Sequence, residues 1–322
     1  MGEAKRKKNE HAQGPRLSVH RLVILEWLSE AEDEPKTGTA LAHQLLQASP
    51  ELSVTCYRCT SANDVLDRIN ALTKEMSAPG VGVPILHIEA HGYNPIGERD
   101  SAIGLAGPSQ DGTQEALLWK DLADPLRRLN IATRFNLMFV AAACWGDNAI
   151  YEVHKPRTDI RPLPFLLAVG FATEVMSHRL ESAMVELYTN LLLNNLPLQE
   201  SLELAHSKLD QATEGLAWFS LPGIIRNVAI NTVISFSDPT RNEEYYLQML
   251  ADFALAGQRP IPPEEYHRRQ LTHVPSAIDS VVGALLAYNV IPENRARFGF
   301  DGRKLAADAR RIIRDRPAAA PT

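Results

Sequence analysis

The chain has 322 residues, 45% of them hydrophobic and 22% charged, which is enough to bury a sizeable core and unlike a disordered or collagen-like polymer. Its 33 Lys and Arg against 39 Asp and Glu leave a formal net charge of -6, so there is no global basic footprint for nucleic acid. No apolar run approaches the ~20 residues that span a bilayer, and the basic start at Lys5 to Lys8 runs into polar residues instead of an apolar signal core. The expectation is a cytoplasmic protein with neither a membrane nor a nucleic-acid partner.

Residues 1–18 are polar, basic and without periodicity, and read as a solvated arm. From there the pattern alternates. An apolar run at Leu22 to Leu25 precedes a helical pattern at Ala40 to Leu46, and Leu52 to Cys56 precedes another at Val65 to Met76. Two more runs follow at Pro84 to Ile88 and Phe135 to Ala143, the second nearly continuous and so buried on both faces. Between them, Gly92 to Leu118 predicts a β-hairpin, followed by a helix from Trp119 to Leu129. A fifth run at Phe165 to Phe171 leads into helices at Leu180 to Leu193 and Leu198 to about Ala212, with a further strand predicted at Val228 to Phe236. Strands alternating with helices predict an α/β fold with a mostly parallel central sheet flanked by helices. Residues 19–236 make that domain, and 237–322 make a small helical C-terminal region whose arginines, from Arg295 to Arg316, read as a solvated helix face.

In a parallel sheet, ligands bind beyond the carboxyl ends of the strands. Two of those ends carry chemistry: Ile88-Glu89-Ala90-His91-Gly92 and Ala143-Cys144-Trp145-Gly146. A histidine and a cysteine at one edge of neighbouring strands can share a proton, the imidazole taking it from the thiol to leave a thiolate nucleophile. Gly92 lets the backbone approach a substrate carbonyl, so the N–H groups of Gly92 and Cys144 are candidate oxyanion donors. Ala141, Ala142 and Ala143 would keep the wall beside the thiol open.

The segments Ile85 to Gly92, Phe139 to Gly146 and Phe165 to Leu193 resemble the caspase-like cysteine peptidases, and within them the bacterial CHAT branch. The fifty-three residues from His91 to Cys144 are close to the ~50 of a caspase-type His-to-Cys order. The resemblance covers roughly residues 19–236. It implies a caspase-like fold and a cysteine endopeptidase that needs no cofactor and no metal, with His91 as general base and acid and Cys144 as nucleophile. Partner-controlled activation or self-association is also implied. Ala142 stands where related families carry Asp or Gln in the pocket wall. With no charge there, an acid for a basic residue before the scissile bond must come from Asp147 or Glu174, the resemblance favouring Glu174. Trp145 either lines the cleft or packs under the next loop. In the loop from Val153 to Pro164 the Arg157–Thr158 bond is a self-cleavage candidate, because Lys155 and Arg161 each precede proline.

The same residues carry other readings. His87, Glu89 and His91, at alternate positions of one strand, share a face and would suit zinc, with Cys144 as a fourth ligand and a metal-dependent hydrolase as the outcome. Alternatively, His87 and Glu89 pair under the sheet and orient His91. His87-x-Glu89 lacks the downstream Pro-Cys-x-x-Cys of a zinc deaminase. Cys56 and Cys59 read as structural thiols, being on opposite faces of a strand. A catalytically inactive scaffold that recruits a protein partner is the rival from another functional class.

Overall fold

A computed structural model describes residues 19–30, 35–94, 102–150, 160–255 and 259–315. The N-terminal arm, Arg316, and the Lys155 and Arg157 of the expected self-cleavage loop lie outside the described residues. The chain divides into two compact units at Leu221, with 160–162 grouped with the second.

The first unit is a mixed α/β structure. Its central sheet has six strands: β1 (Arg21–Glu26), β2 (Val54–Arg58), β3 (Pro84–Glu89), β7 (Met138–Ala142), β8 (Leu167–Phe171) and β9 (Leu216–Ser220). They lie in the order β2-β1-β3-β7-β8-β9, with every pairing parallel except β8 to β9. Between β3 and β7 the chain builds a separate antiparallel sheet from β4 (His91–Tyr93), β5 (Gly104–Pro108) and β6 (Gln114–Leu118). The hairpin expected there is β5–β6, closed by a turn with Gly112 at φ 83°.

Alternate strand residues face opposite sides, so one set packs against α1 (Thr37–Ala48), α4 (Ser177–Tyr188) and α5 (Leu198–His206). Leu22, Ile24, Ile85, Met138, Val140, Leu167 and Val169 meet Leu41, Leu45, Met184, Leu187 and Leu202 there. The other set, including Val23, Leu25, Leu86, Ile88 and Phe139, is equally buried. On α2 (Ala62–Glu75) and α3 (Trp119–Ala132), which pack together, the buried residues Val65, Ile69, Leu122, Leu126 and Leu129 recur at helical spacing. Ser61 caps α2 by accepting the Asp64 N–H at 3.1 Å. α4 continues as one wider turn over Thr189–Leu193, and α5 stops at His206, short of the expected Ala212.

The second unit is helical: α6 (Leu221–Ser237), α7 (Pro239–Leu255), α8 (Pro263–Leu285), α9 (Glu293–Phe298) and α10 (Gly302–Arg314). α6, α8 and α10 pack on one another, and Asp301 caps α10 through the N–H groups of Arg303 and Lys304. The strand expected at Val228 to Phe236 is instead the second half of α6, so the helical region begins at Leu221. Its apolar residues are buried at helical intervals, Ile225, Ala229 and Val233, while Ile234 is 43% exposed. Val228, Ile230, Thr232, Val233 and Ile234 are β-branched and would suit a strand, but the burial has the period of a helix. Several of the expected solvated arginines have local partners: Arg295 lies over the Tyr288 ring, and Arg311 pairs with Asp308 at 2.9 Å. Among the described residues no helix is long and apolar enough to cross a membrane.

Candidate functional site

Two neighbouring parallel strands deliver the expected pair to one edge. β3 and β7 run in register with Glu89 opposite Ala142, so His91-Gly92 and Cys144 leave the sheet side by side. The Ala90 N–H donates to the Ala142 carbonyl at 3.4 Å, and from there β3 passes into β4 of the small sheet. Gly92 lies directly against the nucleophile candidate. A Cβ at that position would stand 2.2 Å from the Cys144 carbonyl oxygen and 3.4 Å from the Cys144 Cβ. Only glycine fits so close an approach. His91, beside it, is exposed.

The turn after β7 is tight and is tied to the end of β8. Gly146 N–H donates to the Ala143 carbonyl at 3.0 Å, and Trp145 takes a left-handed backbone at φ 53°, an uncommon state for a bulky residue. Trp145 N–H donates to the Thr173 carbonyl at 3.3 Å and Asp147 N–H to that of Phe171 at 3.2 Å. Gly170 makes the second contact possible, since a Cβ on it would meet the Asp147 nitrogen at 2.4 Å.

The loop after β8, residues 172–176, lies against the turn that bears the thiol, its Thr173 carbonyl taking the Trp145 N–H. Burial pushes the Cys144 thiol up, the Val175 N–H acts on its sulfur in the opposite sense, and Glu174 adds to the upward shift. At neutral pH the resting side chain is therefore the thiol. Of the two expected oxyanion donors, Gly92 has its backbone against the Cys144 carbonyl. The Val175 donor has no counterpart in the sequence reading, because a backbone N–H leaves no mark in residue type.

Other expected pocket residues sort differently. Ala142 does not line a pocket: it is fully buried in the core that meets α1 and α4, because the last strand residue points inward. Ala141 and Ala143 are also buried, and their small size admits the turn, Gly146 lying against the Ala141 carbonyl and Cβ. Asp147 is 8% exposed, with its carboxyl pushed up by burial, and is not among the groups acting on the sulfur. Glu174 is exposed and does act on it. Trp145 is half-buried, and its indole Nε1 is enclosed without a hydrogen-bond partner among the described residues.

His87 and Glu89 do pair, at 3.2 Å, but their other bonds lead elsewhere. His87 Nδ1 meets the Tyr188 hydroxyl at 2.8 Å, and Glu89 accepts from the Thr37 hydroxyl. The shared face with His91 fails because β3 ends at Glu89 and the alternation breaks at Ala90. Among the described residues no three His, Cys, Asp or Glu side chains assemble as metal ligands, so the zinc arrangement of His87, Glu89 and His91 finds no cluster. Cys56 and Cys59 are free thiols that burial pushes up to about 11 and about 12. Compared with known proteins, the chain matches no protein-family model and no curated sequence.

Proposed function

We propose that the protein is a caspase-like cysteine endopeptidase of the CHAT type, cutting protein substrates after a basic residue. The observation that carries this reading is the contact of Gly92 with Cys144, which sets the His91-Gly92 step beside the thiol at the carboxyl edge of β3 and β7. His91 takes the thiol proton as Sγ attacks the scissile carbonyl carbon, and N–H donors hold the oxyanion. The C–N bond then breaks, His91 returning the proton to the leaving amine, and water hydrolyses the thioester to release the acid and restore the thiol. Glu174 supplies the negative charge for a basic side chain, since a carboxylate beside the bound residue favours Arg or Lys and opposes Asp. A thiol that rests protonated is poorly reactive until a substrate or partner engages it, which suits signal-controlled activation.

Purified protein should cleave members of a peptide library with Arg or Lys before the cut. Cys144→Ala and His91→Ala should each abolish cleavage, with the double variant little worse than either, because residues acting as one unit are not additive. Chelator should leave the rate unchanged. Cleavage surviving in Cys144→Ala, or inhibition by chelator that zinc reverses, overturns the proposal. A folded protein that cuts nothing in the library favours the scaffold reading.

A further inference from the structure

The loop bearing Glu174 and Val175 is fastened by groups outside the dyad. Ala172 N–H donates to the Gly215 carbonyl at 2.8 Å, and Gly215 N–H donates to the Thr173 hydroxyl at 3.1 Å. Glu214, 8% exposed, accepts the Met176 N–H at 3.1 Å through one carboxylate oxygen and the Asp210 N–H at 3.0 Å through the other. Arg179, in the first turn of α4, donates to Glu214 at 3.2 Å and pairs with Asp210 at 3.2 Å. Burial alone would raise the Glu214 carboxyl, but the Asp210 and Met176 N–H groups and the Arg179 guanidinium outweigh it and hold it below its ordinary value. A buried carboxylate gathering donors from the loop, the 210–215 turn and α4 ties three segments at one point.

We infer that Glu214, held by Arg179, is a positioning residue: it latches the 172–176 loop, whose Thr173 carbonyl holds the Trp145 N–H next to Cys144, and so keeps Glu174 and Val175 at the turn that bears the thiol. The consequence for substrate selection rests on the peptidase reading above, but the latch can be tested at the thiol itself. In the full-length protein, iodoacetamide alkylation is read by mass spectrometry on the Cys144 peptide across roughly pH 6 to 10. Glu174→Gln removes a charge that opposes the thiolate, and should speed alkylation at neutral pH about two- to threefold. In a Glu214→Gln background the loop is no longer held, and Glu174→Gln should leave the rate and its pH profile unchanged. Where circular dichroism shows Glu214→Gln to be unfolded, Arg179→Gln goes through the same cycle. Equal acceleration in both backgrounds overturns the latch, as does no acceleration in the wild-type background. A protein that shows the coupling yet cleaves no peptide keeps the latch and loses the peptidase reading.

Discussion

The end of β3 and the start of β4 carry two histidines with opposite fates. His87 and Glu89 are fully enclosed, each bonded to the other and to a second partner, Tyr188 or Thr37. His91 and Gly92, two residues further on, lie on another sheet, with the imidazole exposed and the glycine against Cys144. A buried polar group bonded inside the core contributes to stability, whereas an exposed side chain at the rim can be reached from solvent. Substitutions should therefore divide into those that cost stability and those that cost reactivity.

The largest effect on stability is expected at Glu89. Glu89→Ala strips His87 and Thr37 of a buried partner and should cost about 3 kcal/mol or more in urea unfolding. A loss below about 1 kcal/mol would erase the distinction between the two ends of the strand. Gly92→Ala comes next: the added Cβ must displace the Cys144 backbone, at about 1–3 kcal/mol, with peptide cleavage abolished even where the fold survives. Cleavage at the wild-type rate by this variant would separate Gly92 from the chemistry. Tyr188→Phe removes one hydrogen bond to His87 and should cost about 1 kcal/mol while leaving Cys144 alkylation unchanged.

A smaller effect appears with pH. Buried Cys59 keeps its proton to about 12 in the folded chain against 9.0 for an unperturbed thiol, so above 9.0 the unfolded chain ionises first. Stability from this group is present below 9.0 and is lost as pH rises towards about 12. Cys59→Ala should therefore show a shallower fall in melting temperature above 9.0 than the wild type, and parallel curves would rule out the thiol as the cause. The smallest effect is at Glu174. Its exposed carboxylate should change stability by no more than about 0.5 kcal/mol when replaced by Gln, although the preference for a basic residue before the cut should fall. A preference for Asp or for small apolar residues, unchanged in Glu174→Gln, would remove Glu174 from substrate selection.

What could be read from the sequence follows from how each feature is encoded. β1, β7 and β8 hold continuous apolar runs and β3 one interrupted by His87, and a strand buried on both faces leaves that signature. β9 was not legible: Leu216-Ala217-Trp218-Phe219-Ser220 is a short, half-buried edge strand that runs without a break into α6. Val228 to Phe236 is a helix and not the expected strand, and its β-branched residues occur in strands and buried helices alike, so composition does not separate the two. At the site, the meeting of Gly92 with Cys144 was legible because both stand just past the ends of apolar runs that pair in parallel. Ala142 was misassigned because counting back from the cysteine ignores which face a strand residue takes. The Glu214 latch depends on backbone groups and on contacts far apart in the chain, so no local pattern announces it.

The left-handed turn at Trp145 has a consequence for the order in which the protein assembles. A non-glycine residue in that region stores strain of about 1–3 kcal/mol, and persists only where its surroundings impose it. Those surroundings come from later in the chain: the Thr173 and Phe171 carbonyls hold the turn, and their loop in turn needs Glu214 and Gly215. A nascent chain emerging from the ribosome therefore carries Cys144 long before the bonds that shape its surroundings exist. The geometry around Cys144 is therefore complete only after β8 and β9 have joined the sheet, which places it after synthesis of the whole first unit.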